Sequence, residues 1–367
     1  MRFVQERERR LRSRAQVKRL AILLRLRMLV RERNYVTAAS LLLNAYCAWA
    51  HMYRARCRKS FINTVSIDPV TYDMLLKVFS RHYVIKSGPS KRGRPRRFTT
   101  KNNVLACLLH FYTAAVEQKT LCELFGVPPA TLSRTMQDAE KALQAALRDI
   151  PEATVEWPSK EMQAEWADQV TQKENLLKGC FCVADGKNYP VQAPTHSDLQ
   201  NAYYNGWLHS VKVTGVLCYG FDGTLIWGKH NFPGSWNDGE MSRQLQRVLA
   251  DPVKTMDKGC CATDSAFPVS ASSRMRMITP LKDGDLERAS PECRLGLLAM
   301  SAAITSVRQA AEWGMGCAPK CYRRLQLPLP FDPNKRAVLL WNIYHLYNLR
   351  VRTTGISQIR AVFTANK

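Results

Sequence analysis

The hydrophobic period of this chain changes once, near residue 178, and that change limits the fold more than any other feature. Before it, apolar residues recur every three or four positions, as on one face of a helix. After it they come in short unbroken runs, as in strands buried on both faces. Residues 180–184 form such a run and stop at Asp185-Gly186. Strands are expected at 211–218 and 225–229, joined through Asp222-Gly223, a good hairpin turn. A helix follows over 237–249, then a strand over 259–263 that enters Asp264, a further short strand over 275–281, and a long helix over 291–315. Three strands, a helix, two strands and a helix make a mixed sheet flanked by helices, an α/β fold.

The part before the change reads as all-α. Val104, Leu105, Leu108, Phe111, Tyr112 and Ala115 line one face of a first helix. Residues 120–125 make a short second one, stopped by Gly126. Pro128-Pro129 opens a third, with Leu132, Met136, Ala139, Leu143 and Leu147 at helical spacing. Short helix, glycine turn and a helix beginning with small polar residues is a helix-turn-helix pattern, shared by three-helix bundles with no DNA role. The residues that would face a major groove are Thr131, Ser133 and Arg134.

Lys and Arg total 54 against 30 Asp and Glu, a net charge of +24, so a polyanion is the first partner to consider. Much of the excess lies in a basic segment at 1–60, where the eleven basic residues from Arg7 to Arg33 surround an apolar run at 20–24. It reads either as a nucleic-acid-binding arm or nuclear import signal, or as a solvated extension. A second cluster, Lys91-Arg92-Gly93-Arg94-Pro95-Arg96-Arg97, closes a connector at 61–97. Its Arg92 and Arg94, with glycine between, suit a narrow minor groove; a plain linker is the alternative. The domains expected are thus 1–60, the connector 61–97, a helix-turn-helix domain at 98–150, a polar connector at 151–178, and an α/β domain at 179–360.

No run reaches the roughly 18 apolar residues of a membrane span, and no apolar stretch follows the charged start as in a secretory leader. The 12 cysteines lack both the spacing of a disulfide framework and that of a zinc site, so buried, reduced thiols in a reducing compartment are expected.

Three carboxylates carry the chemistry. Asp185 and Asp264 each end an apolar strand. On the long helix Leu297, Met300, Ile304, Val307 and Ala311 make the buried stripe, and Ser301, Thr305, Arg308 and Glu312 a polar stripe beside it. The three can converge at one edge of the sheet, where oxygen-only donors suit Mg²⁺ or Mn²⁺. Two such ions would activate a water or 3′-hydroxyl and stabilise the leaving oxygen in phosphodiester cleavage. Singly, each has a plainer reading. Asp185-Gly186 and Asp264-Ser265 are turn formers, and Glu312 can pair with Arg308 at i, i+4.

The chain resembles the PIF/Harbinger transposases and Harbinger-derived nucleases over roughly residues 98–360. The motifs that carry the likeness are Gly179-Cys180-Phe181-Cys182-Val183-Ala184-Asp185-Gly186, Tyr203-Tyr204-Asn205-Gly206-Trp207-Leu208-His209-Ser210 and Phe232-Pro233-Gly234-Ser235-Trp236-Asn237-Asp238. Then come Ala262-Thr263-Asp264-Ser265-Ala266-Phe267-Pro268, Thr279-Pro280-Leu281-Lys282 and Arg308-Gln309-Ala310-Ala311-Glu312-Trp313-Gly314-Met315-Gly316. Met315 stands where the family usually has an aromatic. The resemblance implies an RNase H-like core with a DDE triad, Asp185, Asp264 and Glu312, binding two Mg²⁺ or Mn²⁺. It also implies cleavage at transposon terminal repeats in double-stranded DNA, a nuclear location, and a separate Myb-like DNA-binding partner. Asp238 matches a family aspartate and is an accessory candidate; its plainer role is to cap the helix that follows. A homo-oligomer is compatible with this reading.

The first functional expectation is therefore a metal-dependent DNA endonuclease or transposase. The alternative is a domesticated DNA-binding protein that keeps the fold without cutting. A Ser/His hydrolase is excluded, since His209-Ser210 and Gly234-Ser235 supply neither a nucleophile elbow nor an ordered triad.

Overall fold

The computed structural model describes residues 2–34, 36–85, 97–267 and 275–364. Arg92 and Arg94 therefore lie outside the described residues. Helix α1 (Arg2–Asn34) comes first, with Leu20, Ile22, Leu23 and Leu24 in solvent. A helical unit follows: α2 (Ala48–Ala55), α3 (Arg58–Val65), α4 (Pro69–His82), α5 (Lys101–Thr113), α6 (Gln118–Phe125) and α7 (Pro129–Arg148). Local chemistry sets its boundaries. The Asp68 carboxylate accepts from the Val70 and Thr71 amides at the start of α4, and the Thr100 hydroxyl caps α5. Gly126 ends α6 at φ +65°, where a Cβ would lie 2.0 Å from the Leu42 carbonyl oxygen, so only glycine fits.

The expected boundary at residue 60 falls inside α3, and the expected connector at 61–97 contains α4. Buried aromatics are the reason. Trp49, Phe61 and Tyr72 have ring centroids 5.2–5.6 Å apart and bring α2, α3 and α4 into one core. The polar, partly helical segment 151–178 packs against the sheet. Its helix α8 (Lys160–Lys173) packs on the sheet through Trp166, over Gly220, where a Cβ would meet the indole at 2.4 Å.

The remainder runs β1 (Cys180–Pro190), α9 (Ser197–Tyr203), β2 (Tyr204–Asn205), β3 (Ser210–Gly220), β4 (Leu225–Pro233), α10 (Asp238–Ala250), β5 (Cys260–Ala262) and β6 (Met277–Ile278). The helices α11 (Asp285–Arg288), α12 (Arg294–Cys321), α13 (Pro333–Thr354) and α14 (Gln358–Phe363) complete it. The elements follow the order expected from the sequence. β4 pairs antiparallel with β3, and β3 with β1; β1 then pairs parallel with β5, and β5 with β6. The two-residue β2 pairs with the start of β3. The sheet is therefore mixed, with helices on both faces.

β1 does not stop at Asp185-Gly186. It continues to Pro190 because Asp185 pairs with Leu217 and Gly186 with Val216, and the ladder to β3 overrides the local turn preference.

Helix α13 joins the two parts. The Asn342 amide donates to the Tyr112 hydroxyl at 3.2 Å and to the Glu140 carbonyl at 3.0 Å in the helical unit. Two turns on, the Asn348 side chain accepts from the Leu225 amide at 2.8 Å and donates to the Leu225 carbonyl at 2.8 Å in the sheet. Both asparagines are fully buried, so each bond replaces one with water and satisfies a group that would otherwise be costly to bury.

Candidate active site: three carboxylates beside helix α12

Side chains of β1 alternate, so Val183, Asp185, Lys187 and Tyr189 share one face of the sheet. Helix α12 covers that face. The Lys187 ammonium donates to the Met315 carbonyl at 3.2 Å. Gly314 lies against Tyr219, where a Cβ would come within 3.0 Å of three ring atoms. A larger residue would hold the helix off the sheet.

Register places the two aspartates. Val183 pairs with Ala262 in the parallel ladder of β1 and β5. Asp185 lies two residues further on within β1, and Asp264 two residues further on in the loop that leaves β5, so both follow the same rung of the ladder. One oxygen of each is oriented by the next backbone amide, Gly186 to Asp185 at 2.7 Å and Ser265 to Asp264 at 2.8 Å.

Arg308 links Glu312 to Asp264. The Glu312 carboxylate accepts from the Arg308 guanidinium at 3.1 Å, and the same guanidinium stands 3.8 Å from Asp264. The i, i+4 pair expected as the plainer role of Glu312 thus exists. Yet Arg308 is only 20% exposed and serves two carboxylates from different elements, so the pair belongs to the cluster rather than to a free helix face. Asp264 also begins a turn, since the Phe267 amide donates to its carbonyl at 3.1 Å. The turn and the cluster coexist.

The electrostatics suit a cation. Asp264 and Glu312 are 41% and 56% exposed, open to an approaching ion or phosphate. The donors are carboxylate oxygens, the hard set that Mg²⁺ and Mn²⁺ prefer. A guanidinium already lies between two of them, where positive charge is favourable. Its Nε is buried and has no hydrogen-bond partner among the described residues. Burial pushes the Lys187 ammonium below the usual lysine range, and nearby Lys212 adds to this while Asp185 opposes it.

The other expected residues lie elsewhere. Asp238 is the first residue of α10, and its side chain is outside the described residues. The cap is Asn237, whose side-chain oxygen accepts from the Glu240 amide at 2.9 Å. Thr131 is half-buried in the first turn of α7, and Ser133 and Arg134 are exposed in the second. Among the described residues, no hydrogen bond or ion pair links them to the carboxylates.

Sequence reasoning missed one cluster. Cys182, Cys218 and Cys261, on β1, β3 and β5, bring their sulfurs within 4.8 Å of one another in the buried core. No spacing along the chain could reveal a set drawn from three strands. Burial holds the Cys182 and Cys261 thiols well above the usual range, so they stay neutral at pH 7, and sulfur is the wrong donor for Mg²⁺. None of the 12 cysteines is in a disulfide, but Cys57 and Cys293 are exposed rather than buried.

Residues 184–348 match the family model described as DDE superfamily endonuclease, a span that contains all three carboxylates. The chain is also 21% identical over 295 residues to HARBI1 of Xenopus laevis, described as a candidate nuclease. That alignment covers 78% of this chain and 80% of the frog protein. Both agree with the family resemblance drawn from the motifs. No solved structure matches the chain.

Proposed function

We propose that this chain, whose residues 184–348 match the DDE superfamily endonuclease model, is a metal-dependent DNA endonuclease or transposase. Asp185, Asp264 and Glu312 would hold two Mg²⁺ or Mn²⁺ ions in an RNase H-like core. The observation that carries this reading is the Arg308 guanidinium shared between Asp264 and Glu312, with Asp185 on the strand that pairs with β5 just before Asp264. The strand order, three antiparallel strands followed by two parallel ones, supports it.

Bound there, the ions supply an activated water or 3′-hydroxyl and stabilise the leaving oxygen. The protein's own groups do the rest. Asp185 is held in β1 by its ladder to β3, and one oxygen each of Asp185 and Asp264 is oriented by the next backbone amide, which lowers the cost of ordering them around an ion. Arg308 offsets the repulsion among the carboxylates. Arg308 and Lys187 add positive charge where a phosphate would approach.

The same reading assigns Thr131, Ser133 and Arg134 on α7 to a helix-turn-helix contact with duplex DNA, Arg92 and Arg94 to the minor groove, and Asp238 to an accessory role. It carries with it terminal repeats as substrate, a nuclear location and a Myb-like partner.

The test is nicking of supercoiled plasmid by purified protein in Mg²⁺ or Mn²⁺, beside Asp185→Asn, Asp264→Asn and Glu312→Gln. Metal-dependent nicking that each substitution reduces at least about 10³-fold, with DNA affinity kept, is the expected result. DNA binding without nicking by the wild type, even with a cognate end and partner supplied, would favour the non-cutting alternative.

A further inference from the structure

A cavity of about 590 Å³ opens on the opposite face of the sheet from the carboxylates, and nothing in the cleavage reading uses it. Its apolar walls are Trp207, Leu208 and Trp236; Asn188, Thr214 and Asn237 supply polar edges. Asn188 lies three residues beyond Asp185 on β1, roughly 10 Å along the strand. Ala266, also in the wall, follows Asp264 by two residues. The cavity therefore shares both its strand and its loop with the candidate active site.

Trp207 is 90% exposed. An indole offers one of the largest apolar surfaces of any side chain, and leaving it in water is costly unless something covers it. The surrounding loops are firmly held. The Asn205 side chain accepts from the Leu208 amide at 2.9 Å and donates to the Gly234 carbonyl at 2.9 Å. The Ser235 hydroxyl donates to the Ala202 carbonyl at 2.9 Å. Gly234 itself is wedged so closely that a Cβ would lie 2.6 Å from the Lys212 carbonyl oxygen and 2.7 Å from that of Tyr203. Trp236 is backed by Phe232, with ring centroids 4.9 Å apart and planes 15° apart, and so forms a rigid platform. The aromatic surfaces are thus presented by a pinned frame.

The lining selects the ligand. A groove for the sugar-phosphate backbone would be walled by Lys and Arg, and this wall contains neither. Indoles stack on any base, and amides match the donor–acceptor edges of bases. The Asn188 side chain makes no hydrogen bond among the described residues, and the Asn237 oxygen is taken by its cap, which leaves its NH₂ to donate. Bases inside a duplex are already stacked and cannot enter. The chain's net charge of +24 favours nucleic acid over an acidic or neutral protein as the source of the ligand.

We propose that this cavity takes one unpaired base of the DNA strand, stacked on Trp207 and read at its edge by Asn188 and Asn237. The inference rests on the endonuclease reading only for which strand supplies the base.

The test is binding in EDTA, so that cutting plays no part, of a fluorescent duplex with one unpaired base and of its fully paired counterpart. Wild-type protein should bind the first more tightly. Trp207→Ala should weaken that binding about 5- to 150-fold, the range for one stacked base, and leave the paired duplex unaffected, while Trp207→Phe retains most of it. Because Trp207 is exposed, the variants should fold as the wild type does, which circular dichroism checks; Asn188→Ala gives a second, smaller loss. Equal binding of both duplexes by the wild type, or equal loss on both in Trp207→Ala, would overturn the proposal. So would unchanged DNA binding with altered self-association in light scattering, which would make the patch a protein contact. A base preference that persists in a wild type unable to nick plasmid would count against the endonuclease reading and not against the cavity.

Discussion

Asp185 lies two residues past Val183 inside β1, and Asp264 lies two residues past Ala262, the partner of Val183, in the turn that leaves β5. The ladder to β3 holds the first in place, and the turn positions the second. Only Glu312 depends on how a helix is seated, and its seating can be tested apart from its chemistry.

Gly314 decides that seating. In a helix interior, Gly→Ala ordinarily stabilises by about 1 kcal/mol. At Gly316, where a Cβ would meet nothing within 4 Å, the substitution should do so. At Gly314 it meets the fully buried Tyr219 ring, and overpacking of about 1–3 kcal/mol should reverse the sign. Urea denaturation compares the two variants; equal stabilisation at both positions would mean that α12 is not held against the sheet by this glycine.

Arg308 occupies ground that a divalent ion would claim. Arg308→Gln should raise Mg²⁺ or Mn²⁺ affinity at least about fivefold in calorimetry, because a like charge about 4 Å away is removed. Stability in EDTA should change by under about 1 kcal/mol, as the ion pairs are partly exposed. Unchanged metal affinity would place the ions away from Asp264 and Glu312.

Glu140 makes stability depend on pH. Burial pushes its carboxyl up to about 7, against the opposing influence of the Tyr112 hydroxyl, Arg324 and Lys335. A raised folded value means that the native state holds the proton more tightly. The stabilisation is full below the unfolded value of 4.5 and is lost as pH rises through about 7. Between pH 5 and pH 8 the wild type should lose up to about 3 kcal/mol more than Glu140→Gln. Parallel pH profiles of the two proteins would show that Glu140 is not responsible.

Arg134 lies exposed on the second turn of α7, its Nε donating to the Ala130 carbonyl at 3.0 Å. If α7 contacts duplex DNA, Arg134→Ala should weaken binding and reduce the log–log salt slope by about one unit. A filter-binding series over salt concentration measures both, and an unaltered slope would remove α7 from the interface.

The order of elements was legible because a change of hydrophobic period is a local signal, and Asp185, Asp264 and Glu312 stood out as carboxylates beside apolar runs. What was not legible was non-local. Asp185-Gly186 reads as a turn until Leu217 and Val216 pair with it. The boundary at residue 60 misleads because Trp49, Phe61 and Tyr72, one from each of three successive helices, form a core only where those helices meet. Arg308 shows its i, i+4 partner Glu312 in the sequence, but its approach to Asp264 exists only once α12 lies on the sheet. The three clustered cysteines are invisible for the same reason, since Cys182, Cys218 and Cys261 meet only across three strands.

The buried asparagines of α13 have a geometric consequence. Asn342 is anchored to the helical unit and Asn348 to the edge of the sheet, less than two turns apart on one rod. The helical unit cannot swing against the sheet without breaking a sheltered amide bond or bending that rod. DNA gripped at α7 would therefore be measured off to the carboxylates by a fixed length of protein. The interval between the sequence read and the phosphate cut would then be constant, as with a ruler, and not spread over the range that a flexible tether allows.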